Sequence, residues 1–160
     1  MPTILLFTKI KAAKKIVFDL SRSIELHKIS TKKTNEKAIA GRTSGLIELN
    51  ETVTWRARHL GVYQNFTSKV TGCREADFFA DIMISGAFKS FKHEHYFSFK
   101  ENVTTLVDVL EYTSPLGVLG KFVDMLFLKK YMTNFLLERN KTIKEFAETN
   151  KWKRILNYKN

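Results

Sequence analysis

Two histidines, His93 and His95, stand one residue apart inside the aromatic run "FKHEHYFSF", Phe91 to Phe99. Alternate side chains of a strand share a face, with Cα atoms roughly 6.5–7 Å apart, so both imidazoles point the same way. The next segment, Val103 to Tyr112, also alternates, and Glu101–Asn102 between the two suits a two-residue hairpin turn. With Lys100 opposite Val103, Phe97 faces Leu106, His95 faces Asp108, His93 faces Leu110 and Phe91 faces Tyr112. Lys92, Glu94, Ser98 and Lys100 fall on the opposite face, which suits water. The pairing therefore predicts two inward imidazoles with a carboxylate across the ladder from one of them.

An imidazole facing a carboxylate is held in one orientation and one tautomer, which is what a general base needs. His95 and Asp108 are the candidate catalytic pair on that reading. They read equally well as a structural pair in which buried polar groups satisfy each other, with His93 bonded to a ligand, a water or Asp81. A zinc site would need three or four ligands. His93 and His95 share a face, His59 could reach them, and Asp81 or Asp108 could complete a set. Nothing else in the sequence fixes the remaining ligands, so no metal and no cofactor is assigned. Cys73 is the single cysteine, which excludes an internal disulfide and a thiolate cluster; "TGCREA" reads as a turn.

These residues sit in a chain of 160 residues, enough for one domain with a real core. Its content of 44% hydrophobic and 27% charged residues is that of a globular protein rather than a disordered one. No apolar run approaches the roughly 20 residues needed to span a bilayer. The start, "MPTILLFTKIKAAKK", has too short an apolar core for a signal peptide, so a cytoplasmic location is expected. The formal net charge of +11 favours anionic partners. The cations are scattered and mostly lysine, with no basic stripe, which disfavours nucleic acid and points to a solvated surface. The domain is expected over residues 1–150, with a basic tail at 151–160. Trp152, Ile155, Leu156 and Tyr158 among the tail's cations make a transient contact with an anionic membrane one reading, and a solubilising helix end the other.

"TILLFTKI" reads as a first strand, and "AAKKIVFDLSRSIEL" changes to helical spacing, with Ile16, Val17, Leu20 and Ile24 on one face. A polar connection and the break "GRTSG" precede "LIEL", read as a short strand. In "ETVTWRARHL" Val53, Trp55, Ala57 and His59 share a face. If Leu60 and Gly61 turn the chain, Trp55 lies opposite Phe66, in a strand from Tyr63 to Val70. "ADFFADIMIS" is a strand whose inward set is either Phe79, Asp81 and Met83 or Phe78, Ala80, Ile82 and Ile84. Pro115, Gly117 and Gly120 end the sheet. From there Leu119, Phe122, Leu126, Met132 (or Thr133), Leu136, Ile143 and Phe146 recur at helical spacing, predicting one long helix up to about Thr149.

This order resembles the helix-grip fold of the START-like superfamily, also called SRPBCC, and locally its bacterial members described as cyclase/dehydrase-like or ligand-binding. The similar stretches are "VFDL", "VTWRARHLG", "FADIMISGAFKSFKHEHYF", "LVDVLEYTSPLGVLG" and "LLERN", which together span nearly the whole chain. The resemblance implies an α+β helix-grip fold: a curved seven-stranded antiparallel sheet with two short N-terminal helices, wrapped around a long C-terminal helix. It also implies a cavity between sheet and helix for a hydrophobic or amphipathic small molecule. Trp55, His59, Phe66, Asp81, Met83, His93, His95, Phe97, Leu106, Asp108 and Tyr112 of the sheet would line it, with Phe122 and Leu126 of the helix. The alternatives are a cyclase- or dehydratase-like enzyme using the His95–Asp108 pair, and a charge-driven binder of anionic membrane or nucleic acid. The superfamily supplies no shared catalytic set.

Overall fold

The computed structural model describes residues 2–114 and 127–158. Its strands are β1 (Thr3–Ile10), β2 (Lys37–Gly41), β3 (Thr52–His59), β4 (Val62–Arg74), β5 (Phe78–Ser85), β6 (Ser90–Lys100) and β7 (Val103–Thr113). They form one antiparallel sheet in the order β1-β7-β6-β5-β4-β3-β2, so β1 and β2 are its edges. Helices α1 (Lys14–Ser21) and α2 (Ile24–Ser30) link the two edges, and α3 (Lys129–Glu148) follows the last strand.

Turn chemistry sets the register that matters most. Glu101 and Asn102 both take left-handed backbone angles (φ 52° and 60°), the conformation that matches strand twist in a two-residue hairpin. Lys100 therefore pairs with Val103, and His95 falls opposite Asp108, as the sequence predicts. Leu60 and Gly61 turn the β3–β4 hairpin in the same way (φ 53° and 83°) and set Trp55 opposite Phe66. Register shifts at Thr67/Ser68 and Val70/Gly72 mark bulges in β4, which runs on to Arg74 rather than ending at Val70. Bulges bend a strand, and a bent sheet can grip a helix.

The structure corrects the place of one strand. The seventh strand is Lys37–Gly41, within and just beyond what reads as a polar connection, and not "LIEL". Leu46 makes a single bridge to Ser23, and Ile47 is buried beside Val53 and Trp55. The unpaired edge of β3 recruits β2 despite its poor strand formers, pairing Lys37 with Arg56 and Ala38 with Trp55. The N-terminal helical stretch is two helices. Ser23 lies between them in extended conformation, and its hydroxyl accepts the Leu26 N–H as an N-cap. The expected start of the long helix near Leu119, with Phe122 and Leu126, lies outside the described residues.

The buried positions of α3, namely Met132, Leu136, Arg139, Asn140, Ile143 and Ala147, recur at three- and four-residue spacing along one face. Among the described residues three apolar clusters make up the core, two of them including residues of that face. One centres on Phe18 of α1, edge-on to Phe79 (5.9 Å) and Phe97 (5.4 Å). A second joins Ile4, Leu110 and Tyr112 to Met132 and Leu136. The third packs Ile24 and Ile47 on Val53, Trp55 and Val70. The residues after α3 return to the body: Leu156 is buried, and Trp152 and Ile155 pack against the first cluster. The Tyr158 hydroxyl donates to Asp19 Oδ2 at 2.6 Å. Burial would raise the Asp19 carboxyl, but Tyr158, Arg22 and Lys15 together hold it below its ordinary value. Among the described residues no helix is long and apolar enough to cross a membrane.

Candidate ligand-binding site

Between the clusters lies a cavity of about 440 Å³, bounded by β3–β6, α2 and α3. Six of the residues expected from sequence line it: Trp55, His59, Phe66, Asp81, His93 and His95. Asp108 stands behind the wall. Met83, Phe97, Leu106 and Tyr112 lie outside the lining. Phe97 and Leu106 share the inward face but lie nearer the hairpin tip, where α1 covers them. Tyr112 lies at the opposite end, under Phe88 and Met132. Met83, half-buried, presses its sulfur toward Gly86 beside Phe66. Phe122 and Leu126 lie outside the described residues.

The polar wall is organised by Asp108, which is fully buried. Its Oδ1 accepts from His95 Nδ1 at 2.7 Å and from His93 Nε2 at 3.1 Å, and its Oδ2 accepts from Asn140 Nδ2 at 2.6 Å. Arg139 Nη1 lies 3.5 Å from Oδ1, while its Nη2 donates to the Ser21 carbonyl at 2.8 Å. An ionised carboxylate only accepts, so the imidazole nitrogens facing it carry hydrogen. In the neutral rings this leaves Nε2 of His95 and Nδ1 of His93 as acceptors. His95 Nε2 stands 3.8 Å from Asp81 Oδ1. Phe79 stacks on the His95 ring at 4.0 Å, and the His93 ring lies 3.9 Å from it.

Burial would push the Asp108 carboxyl up, but the hydrogen bonds and charges of His93 and His95 hold it well below the usual range. For His93 burial dominates. With repulsion from His95 it lowers the imidazole to about 4, against the pull of Asp108 and Asp81. His93 is thus neutral at physiological pH. Burial also lowers the Arg139 guanidinium, with Asp108 and Asp81 working against that shift.

A second polar group faces the same cavity and went unread in the sequence. Glu36 accepts from His27 Nε2 at 2.5 Å and lies 3.5 Å from His59 Nε2, while His59 Nδ1 bonds the Tyr131 hydroxyl at 2.8 Å. His27 stacks on Trp55 at 4.1 Å. Burial would raise the Glu36 carboxyl, yet the charge and hydrogen bond of His27, helped by His59, bring it down to about 2. Four elements meet here, since Tyr131 belongs to α3, His27 to α2 and His59 to β3, with Glu36 just before β2. Arg139 and Asn140 were also missed as site residues. Their only sequence signal is "LLERN", one of the stretches that carries the resemblance without a role attached.

The cavity therefore offers apolar and aromatic walls with two buried polar patches. One combines imidazole acceptors, a carboxylate and a guanidinium; the other is a carboxylate held between imidazoles. Such a set can orient one end of a mostly apolar molecule by hydrogen bonds while its remainder is desolvated.

No protein-family model matches the sequence, and no curated protein is similar enough in sequence to count as a match. Solved structures do match. The protein TTHA0849 of Thermus thermophilus superposes with a TM-score of 0.74 at 17% identity, over 91% of this chain and 97% of that one. A START superfamily protein from Mycobacterium smegmatis gives 0.69 at 15% identity, over 91% and 97%. Major latex-like protein 151 of Panax ginseng gives 0.68 at 14%, over 92% and 98%. Sheet order, paired N-terminal helices and a C-terminal helix packed on the sheet agree with these matches: the chain has the helix-grip fold of START-like (SRPBCC) proteins.

Proposed function

We propose that this protein binds one hydrophobic or amphipathic small molecule between the sheet and α3, with the molecule's polar end on the His93–His95–Asp81 wall. The observation that carries the reading is a cavity of about 440 Å³ lined largely by apolar side chains, with the two imidazoles fixed by a fully buried carboxylate behind them. Proteins of this fold commonly take hydrophobic ligands, which supports it. Apolar burial supplies affinity at about 25 cal/mol per Å², and the polar wall supplies orientation. Native mass spectrometry of the purified protein, followed by solvent extraction, is the first test. A stoichiometric lipophilic adduct released by the solvent is expected; a protein that stays bare after exposure to lipid extracts contradicts the reading.

One observation favours a second reading, an enzyme of the cyclase or dehydratase type. The 2.7 Å bond from His95 Nδ1 to Asp108 leaves Nε2 as a base beside Asp81. On this reading the bound compound is converted by the wild type and recovered unchanged from His95→Gln. Recovery unchanged from both leaves binding alone.

A further inference from the structure

We propose that Asp81, His93 and His95 bind one divalent first-row transition-metal ion on the polar wall of the cavity. The inference deepens the anchoring role proposed for that wall and rests on it. One donor atom from each of the three lies within 4.8 Å of the others. Metal bonds of about 2.0–2.2 Å bring such donors to roughly 3 Å apart. Asp81 is the least enclosed of the three, only partly buried where His93 and His95 are buried.

The fixing is what a metal site needs. Histidines that ligate a metal hand their other ring N–H to a carboxylate or carbonyl, which sets the tautomer and aims the lone pair. Here a single carboxylate does this for both rings, because His95 Nδ1 and His93 Nε2 meet the same oxygen of Asp108. His95 is left with Nε2, the nitrogen nearest Asp81, and His93 with Nδ1. Asn140 and Arg139 hold Asp108 in turn.

Two carboxylates, Asp81 and Asp108, flank the imidazoles, so the wall turns carboxylate oxygens toward a cation. Arg139 leans on Asp108 and the Ser21 carbonyl, so its charge is already engaged. Two imidazoles and a carboxylate suit zinc, iron(II), cobalt(II) or nickel(II). The absence of a thiolate disfavours copper(I), and the two nitrogen donors disfavour magnesium and calcium. Three protein ligands leave coordination positions for a carboxylate, enolate or hydroxyl group of the bound molecule.

Cobalt(II) titrated into chelator-stripped protein tests this, read by visible d–d absorption and by competition with zinc(II). One equivalent of cobalt is expected to give a ligand-field spectrum that zinc abolishes. Asp81→Asn and His93→Ala should each weaken the ion about tenfold or more, while Lys100→Ala, exposed at the hairpin tip and outside the cavity, leaves it unchanged. No saturable spectrum, or an affinity indifferent to Asp81→Asn and His93→Ala, overturns the proposal. A metal-free control with a fluorescent fatty acid separates the two readings. If that probe binds one-to-one while cobalt does not, only the metal inference falls; if neither binds, both fall.

Discussion

Oδ1 of Asp108 takes a hydrogen bond from His95 Nδ1 at 2.7 Å and from His93 Nε2 at 3.1 Å, so one oxygen positions both imidazoles of the cavity wall. This carboxylate is fully buried. It is stable there because every direction around it holds a donor: two imidazoles, the Asn140 amide and the Arg139 guanidinium. A buried charge set of this kind is costly to break from one side, because the group left behind is charged, buried and unmatched.

Asp108→Leu is accordingly expected to lose about 3–5 kcal/mol of unfolding free energy in urea. Adding Arg139→Met, which removes the stranded cation, should recover part of that loss. A single variant as stable as the wild type would mean that Asp108 does not hold the wall together.

Glu36 links pH to stability. Its carboxyl sits at about 2 in the folded protein against an ordinary 4.5, so its contribution is complete above about pH 4.5 and fades as pH falls through 2. The shift corresponds to a contribution on the order of 3 kcal/mol. Urea unfolding of wild type and Glu36→Gln should show a gap near neutrality that closes between pH 4.5 and 2. A gap independent of pH contradicts the pairing with His27 and His59.

The end of the chain is held by packing. Leu156→Ala should cost about 2–5 kcal/mol, as a buried leucine in a shared core does. Leu137→Ala, on the exposed side of α3, should stay within about 0.5 kcal/mol. Equal losses for the two would place Leu156 outside the core.

Filling the cavity separates fold from function. Val70 is buried, lines the cavity and belongs to the cluster under α2. Val70→Phe places extra side-chain volume where a ligand would lie. Affinity for a lipophilic probe should fall about tenfold or more, at a stability cost of about 1–3 kcal/mol. Unchanged affinity would put the ligand elsewhere.

The sequence carried the β6–β7 register in full, because strand alternation and a two-residue turn leave one pairing that buries the aromatic face. Alternation and turn length alone therefore suffice to set His95 against Asp108. β2 was hidden because lysine, alanine and glycine are weak strand formers, and only the free edge of β3 makes them one. Glu36 was hidden in a lysine-rich connection, where a carboxylate reads as surface. Arg139 and Asn140 fall in the charged half of the last helix; their burial depends on how α3 rotates against Thr8 and Ser21, which spacing alone does not encode. Phe97 and Leu106 share the predicted face, but the reach of α1 over that end of the sheet takes them into the core.

The most direct measurement is a titration of delipidated protein with a fluorescent fatty acid, wild type against His95→Ala and His93→Ala. One saturable site is expected, with both variants weakened about tenfold, the effect of losing one or two polar contacts to a ligand's head. Absence of a saturable site, or equal affinity in all three proteins, would contradict a cavity that takes an amphipathic molecule by its polar end.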